Sequence, residues 1–133
     1  MIFVDTGAWV ACFSRRDQYH TQAAGTWEKL RASNERVITS DSVFVETISF
    51  LGRNVGPAAA VEAGRFLHGW NKLTIVRATT EDEVAALDLL HKFADQSVGI
   101  VDCLSFALIR RHRIPSVFTF DRHFELAGFP VVN

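Results

Sequence analysis

Long apolar runs are missing from this sequence, and no stretch approaches the roughly 18 residues that a membrane-crossing helix needs. The opening Met1-Ile2-Phe3-Val4 meets Asp5 with no basic segment before it, which reads against a secretory leader. Cysteine is scarce: Cys12 and Cys103 stand alone, far apart in sequence, with no CxxC or Cys/His ligand spacing. They read as small hydrophobes in a reducing compartment, so the cytoplasm is the default expectation. An excess of either charge is also lacking. Fourteen basic residues face fifteen acidic ones, a formal charge of -1. A protein that grips nucleic acid by overall positive charge is therefore excluded, whereas a local basic patch is not.

What is present is the material of a globular domain. Of the 133 residues, 48% are hydrophobic, and three Trp and eleven Phe supply large apolar surface, so disorder is excluded. No linker, repeat or low-complexity tract divides the chain, which is expected to be one domain over residues 1–133. Short apolar runs alternate with longer helical patterns. Ile2-Phe3-Val4, Val37-Ile38-Thr39, Leu73–Val76 and Val117–Phe120 read as buried strands, continuous rather than alternating. Phe129–Val132 reads as an edge strand because of Pro130. Helices are expected from Thr21 to Ser33, from a Ser42 cap through Arg53, from Pro57 to Trp70, from a Thr80–Glu83 capping box, and from about Ser97 until Pro115 stops the chain. This alternation predicts a three-layer α/β/α sandwich around a mostly parallel sheet.

In such sheets ligands sit beyond the carboxyl ends of the strands, so the polar groups there are the first to examine. Asp5 follows the first strand and Asp121 the fourth; Glu46 sits in Val43-Phe44-Val45-Glu46-Thr47-Ile48, and Asp102 in Ile100-Val101-Asp102-Cys103-Leu104. Taken singly, each acid reads equally well as a helix cap or a surface charge. Taken together, four acids in apolar sequence at one sheet edge need counter-charge, since burying an unpaired carboxylate costs several kcal/mol. An all-oxygen set suits a hard divalent cation, Mg²⁺ or Mn²⁺ before Zn²⁺, and Mg²⁺ sites commonly share their ligands with phosphate oxygens. That combination points to phosphodiester hydrolysis.

The segments Phe3-Val4-Asp5-Thr6, Ser42–Thr47, Ser97–Phe106 and Thr119-Phe120-Asp121-Arg122-His123-Phe124 make the whole chain resemble the PIN domain, and within it the VapC-type toxin ribonucleases of bacterial toxin–antitoxin pairs. By that resemblance Asp5, Glu46, Asp102 and Asp121 match an acidic catalytic and metal-binding quartet, with Mg²⁺ as the cofactor and Mn²⁺ as a substitute. Thr6 and Thr119 match accessory hydroxyls. Gly7 departs from the small hydroxyl residue that relatives often carry. The resemblance further implies a five-stranded sheet of order 3-2-1-4-5, an RNA substrate, homodimerisation, and inhibition by an antitoxin whose tail covers the acidic groove.

Competing functions meet specific obstacles. A phosphoacceptor receiver domain needs an Asp after the third strand, where Arg77-Ala78 stands; a haloacid-type phosphatase needs a second acid two residues after Asp5, where Gly7 stands. A PIN fold kept only for partner binding is the remaining alternative. The five histidines (His20, His68, His91, His112, His123) show no ligand pairing and read as surface or cap residues. Arg110, Arg111 and Arg113 read as helix-end cations, Asp95 as a loop residue, and Trp27, Trp70 and Phe66 as packing. Arg15 and Arg16 fall near the expected groove mouth.

Overall fold

The computed structural model describes residues 1–133. Five strands form one sheet: β1 (Ile2–Val4), β2 (Val37–Ser40), β3 (Leu73–Val76), β4 (Ser116–Phe118) and β5 (Val131–Val132). Their order is β3-β2-β1-β4-β5 and every pairing is parallel. Helices α1 (Thr6–Phe13), α2 (His20–Ala32), α3 (Asp41–Asn54), α4 (Pro57–Gly69), α5 (Thr80–Lys92), α6 (Ile100–His112) and α7 (Arg122–Leu126) flank it. The expected sandwich, with its strand order, is the observed one.

Burial on both faces explains the continuous runs of β1 and β2, whereas β3, expected as a buried strand, lies at the sheet edge and is only half-buried, with Thr74 exposed. All of β1 is buried, and Phe3 and Val4 are wholly enclosed. One core cluster runs from β1 through α6 to α7, with Trp9, Phe106, Phe118 and Phe124 fully buried. Each such side chain contributes on the order of 1.5–3 kcal/mol by leaving water. The aromatic residues read as packing do pack: Trp27 lies 4.7 Å from Trp70 and 5.8 Å from Phe66, ring centre to ring centre.

Several boundaries differ from expectation for local reasons. Thr21 does not open α2. The helix starts at His20, with Tyr19 at its N-cap and no side-chain cap; Asp17 holds the turn before it, its carboxylate accepting from Tyr19 N at 2.8 Å and its carbonyl from His20 N at 3.0 Å. Helix α3 is capped by Ser40 rather than Ser42, with the Ser40 hydroxyl accepting from Val43 N at 3.1 Å. The capping box lies one residue early, on Thr79 and Asp82. Ser97 cannot open α6 because it closes the preceding 3₁₀ turn (Ala94–Gln96) at φ 56°, in the left-handed region, so Gly99 takes the cap. Strand β4 ends at Phe118, which leaves Thr119 and Phe120 between it and Asp121.

Strands β2 and β3 extend from one side of β1 and β4 and β5 from the other, so the direction in which strands are added reverses at the β1–β4 pair. The crevice beyond the carboxyl ends of these two strands is where this topology leaves room for a ligand.

Candidate active site

Asp5 enters this crevice because β1 ends one residue before it and α1 begins one residue after. Its backbone is held on both sides: its N–H donates to Phe118 O at 3.1 Å, and its carbonyl accepts from Trp9 N at 3.1 Å. Below it, the Thr39 hydroxyl donates to Val4 O at 2.8 Å and accepts from Trp9 Nε1 at 3.2 Å. This buried brace from β2 stiffens the strand end. The Asp5 side chain is only 4% exposed, and its Oδ2 accepts from the Thr119 hydroxyl at 3.0 Å.

The same hydroxyl accepts from Asp121 N at 3.0 Å, so Thr119 ties the two strand-end acids together. The Asp121 carboxylate caps α7 by accepting from His123 N at 2.9 Å, and it also lies 2.7 Å from His123 Nδ1. The other nitrogen of His123 is 2.6 Å from the Gln96 carbonyl. His123 therefore staples the turn before α6 to Asp121. Asp102 stands in the first turn of α6, and Glu46 is exposed on the second turn of α3.

All four acids line one crevice of about 600 Å³, together with Thr6 and Asp17, and no Lys or Arg lines it. The electrostatic consequence falls on the two more enclosed acids. Burial first, and then the nearby Asp102 carboxylate, pushes Asp5 up to about 7, against the pull of the Thr6 amide and the Thr119 hydroxyl. Burial and then Asp121 push Asp102 up to about 6. No three His, Cys, Asp or Glu side chains converge closely enough to form a finished metal cage. Four like charges without counter-charge repel one another, and Mg²⁺ in any case completes its shell with waters and substrate oxygens. The donor set fits such an ion: it is all oxygen, it holds excess negative charge, and the buried Thr6 hydroxyl beside it has no hydrogen-bond partner.

Asp17, Thr39 and His123 belong to this assembly without a clear sequence signal. Asp17 reaches the crevice from a loop, Thr39 acts from beneath it, and only the i, i+2 spacing of Asp121 and His123 hints at their pairing. Of the set-aside residues, Arg111 is not a free helix-end cation. It clasps the buried Asp82 carboxylate with two bonds of 2.8 Å, holding that carboxyl below its ordinary range. Arg110 lies over the Phe129 ring, 5.5 Å from its centre. Neither lines the crevice, and nor does Asp95.

Comparison with known proteins agrees with this fold. The family model described as PIN domain matches residues 2–130. Across its whole length the chain is 36% identical to the 23S rRNA-specific endonuclease VapC20 of Mycobacterium tuberculosis, spanning 98% of that protein. It is 29% identical to Ribonuclease VapC26 of the same organism, over 93% of this chain and 90% of the relative. The crystal structure of Mycobacterium tuberculosis VapC20, described as a Sarcin-Ricin loop cleaving toxin, superposes with a TM-score of 0.89 at 31% identity, covering 97% of this chain and 96% of that one. VapBC2 from Rickettsia felis, bound to a DNA fragment from its promoter, gives a TM-score of 0.73 at 16% identity, covering 100% of this chain and 98% of that one; it shares the fold.

Proposed function

This chain belongs to the PIN-domain family, and from that premise we propose that it is a VapC-type, Mg²⁺-dependent endoribonuclease toxin that cuts ribosomal RNA and is silenced by a cognate antitoxin. The observation that supports it most is the meeting of Asp5, Glu46, Asp102 and Asp121 in one crevice that contains no cation of its own. The likeness to a 23S rRNA-specific endonuclease over the full chain supports the ribosomal target.

Asp5 and Asp102 would hold the metal, with Glu46 and Asp121 completing the acidic wall. When bound, Mg²⁺ or Mn²⁺ supplies Lewis-acid chemistry, drawing charge from phosphoryl oxygens and making water a better nucleophile near neutral pH. The protein's own share is orientation. The Thr119 hydroxyl and Thr6 amide favour the ionised form of Asp5. Glu46, the exposed acid, or Asp121, held by His123, orients the attacking water and takes its proton. The water oxygen bonds to phosphorus as the bond to the 3′ oxygen breaks, leaving a 5′-phosphate and a 3′-hydroxyl.

The working unit is a single domain over residues 1–133, acting as a homodimer in the cytoplasm. One extended core supports the single domain and two unpaired thiols the reducing compartment; the homodimer rests on the family resemblance, and no helix is long and apolar enough to cross a membrane. A basic group from the antitoxin tail would neutralise the acids it covers. The decisive experiment incubates antitoxin-free protein with total cellular RNA, with Mg²⁺, with chelator, and as Asp5→Asn. Discrete 5′-phosphate ends, lost in both controls, are expected. A folded protein that binds no divalent metal and cuts nothing would return the reading to a non-catalytic PIN module.

A further inference from the structure

Taking the acidic crevice as a ribonuclease site, we propose that the pocket beside it, built on the loop between α1 and α2, is a phosphate-binding subsite in which Arg15 and Arg16 hold the RNA backbone next to the scissile bond. This pocket, of about 710 Å³, is lined by Arg15, Arg16, Ser14, Gln18 and Asn54, and it shares Asp17 and Phe50 with the crevice. The two cavities therefore run into each other, one whose charged residues are all acidic and the other carrying two guanidinium groups.

The loop is shaped to present those groups. Asp17 N donates to Ser14 O at 3.1 Å, closing a four-residue turn with Arg15 and Arg16 at its two central positions. Both arginines are exposed, and neither has a carboxylate partner, whereas Arg31 and Arg111 are each ion-paired. The turn is also anchored relative to the catalytic acids. Asp17 Oδ1 accepts from Tyr19 N, and the Tyr19 ring stacks on Phe120 with centres 4.5 Å apart and planes within 2°. Phe120 directly precedes Asp121. The aromatic stack thus links the arginine loop to the strand end that carries a catalytic acid.

Charge gives the reason for such a subsite. An RNA strand approaching four or five carboxylates is repelled along its length, and a metal offsets that repulsion only at the scissile phosphate. Two guanidinium groups one cavity away offset it for a neighbouring phosphate, where their fork geometry suits phosphate oxygens. Contacts of this kind position the strand and do not read its bases.

The test compares wild type, Arg15→Ala/Arg16→Ala, Arg15→Lys/Arg16→Lys and the control Arg31→Ala. Their substrates are a labelled 23S rRNA hairpin containing the sarcin–ricin loop and total cellular RNA, both with Mg²⁺. The double alanine variant is expected to raise KM about 10-fold or more with kcat within about 3-fold. It should also flatten the salt dependence of binding by about 0.7 per lost contact, which the lysine variant restores. Wild type that cuts RNA, with a double alanine variant of unchanged KM and salt slope, overturns the subsite alone. A double variant that loses antitoxin affinity while keeping RNA affinity also overturns it, assigning the arginines to an acidic segment of the partner. Wild type that cuts neither RNA overturns the ribonuclease reading and the subsite with it.

Discussion

Thr119 holds Asp5 from the far end of the chain: its hydroxyl, on the segment after β4, donates to Asp5 Oδ2 at 3.0 Å, while its oxygen accepts from Asp121 N. One buried hydroxyl thus fixes the relative position of two acids 116 residues apart in sequence. It is a site-building contact rather than core packing.

Thr119→Val keeps the shape and removes both bonds. We expect a loss of about 1–3 kcal/mol, because an amide and a carboxylate lose a partner, and at least about 10-fold lower RNA cleavage. Thr119→Ser should restore most of both. Denaturant melts alongside cleavage rates check this; a Val variant with wild-type kcat would show that the bridge does not position the acids.

The raised carboxyl of Asp5 makes stability fall with pH. Unfolded, Asp5 titrates near about 3.9; folded, near about 7. Between these values the folded protein binds more protons, so raising pH favours unfolding, and the loss is complete above the folded value. Asp102 adds the same trend up to about 6. Metal-free Asp5→Asn should therefore melt higher than wild type at pH 8, by about 3 °C or more, with the difference shrinking toward pH 4. Scanning calorimetry in chelator decides it, and an equal gain at both pH values would contradict the proton linkage.

Divalent metal should reverse that penalty. Mg²⁺ competes with the protons on Asp5 and Asp102, so its affinity should rise between pH 5 and pH 8. Saturating Mg²⁺ should raise Tm at pH 8 in wild type, with little effect in Asp102→Asn. Titration calorimetry would also register proton release at pH 6. Equal Mg²⁺ binding by Asp102→Asn would remove that residue from the proposed metal site.

Arg111→Met strands the buried Asp82 carboxylate, whose normal partner it is. The loss should show as a lower Tm at pH 7, moderated by the solvent around the half-exposed Arg111 side chain. Because Asp82 is held below its ordinary range, the pair's contribution is present above about pH 4 and lost as pH falls through the folded value. Cleavage at a temperature where the variant stays folded should match wild type, since neither residue lines the crevice.

His123→Ala cuts the link between Gln96 and Asp121. Amide exchange over residues 94–99 should quicken by about 10-fold or more, and kcat should fall, while Asn at 123, which can reach one partner, rescues in part. Unchanged exchange would mean that the turn is held by its own backbone.

The elements were legible because their causes are local. Continuous β-branched and aromatic runs announce strands, although whether a run is enclosed, as in β1 and β2, or lies half-buried at the edge, as in β3, was not legible; Pro57 and Pro115 mark a helix start and a stop. The acids were visible as a set: Asp5, Glu46, Asp102 and Asp121 each interrupt apolar sequence at one sheet edge, although any one alone reads as a cap or surface charge. Capping residues slipped by one or two positions, as at Ser40, Thr79 and Gly99, since neighbouring Ser, Thr and Gly offer nearly equal caps and the tertiary path chooses among them.

What depended on the sequence alone was therefore the list of parts: a parallel α/β sandwich with four carboxylates along the edge where strands end and helices begin. What only the tertiary structure decided was which groups face one another. Thr119 on Asp5, His123 between Asp121 and Gln96, Arg111 on Asp82, and the arginine turn beside the crevice all join residues from different elements. No local propensity encodes such pairs, because their geometry exists only after the parallel sheet has brought distant strand ends side by side.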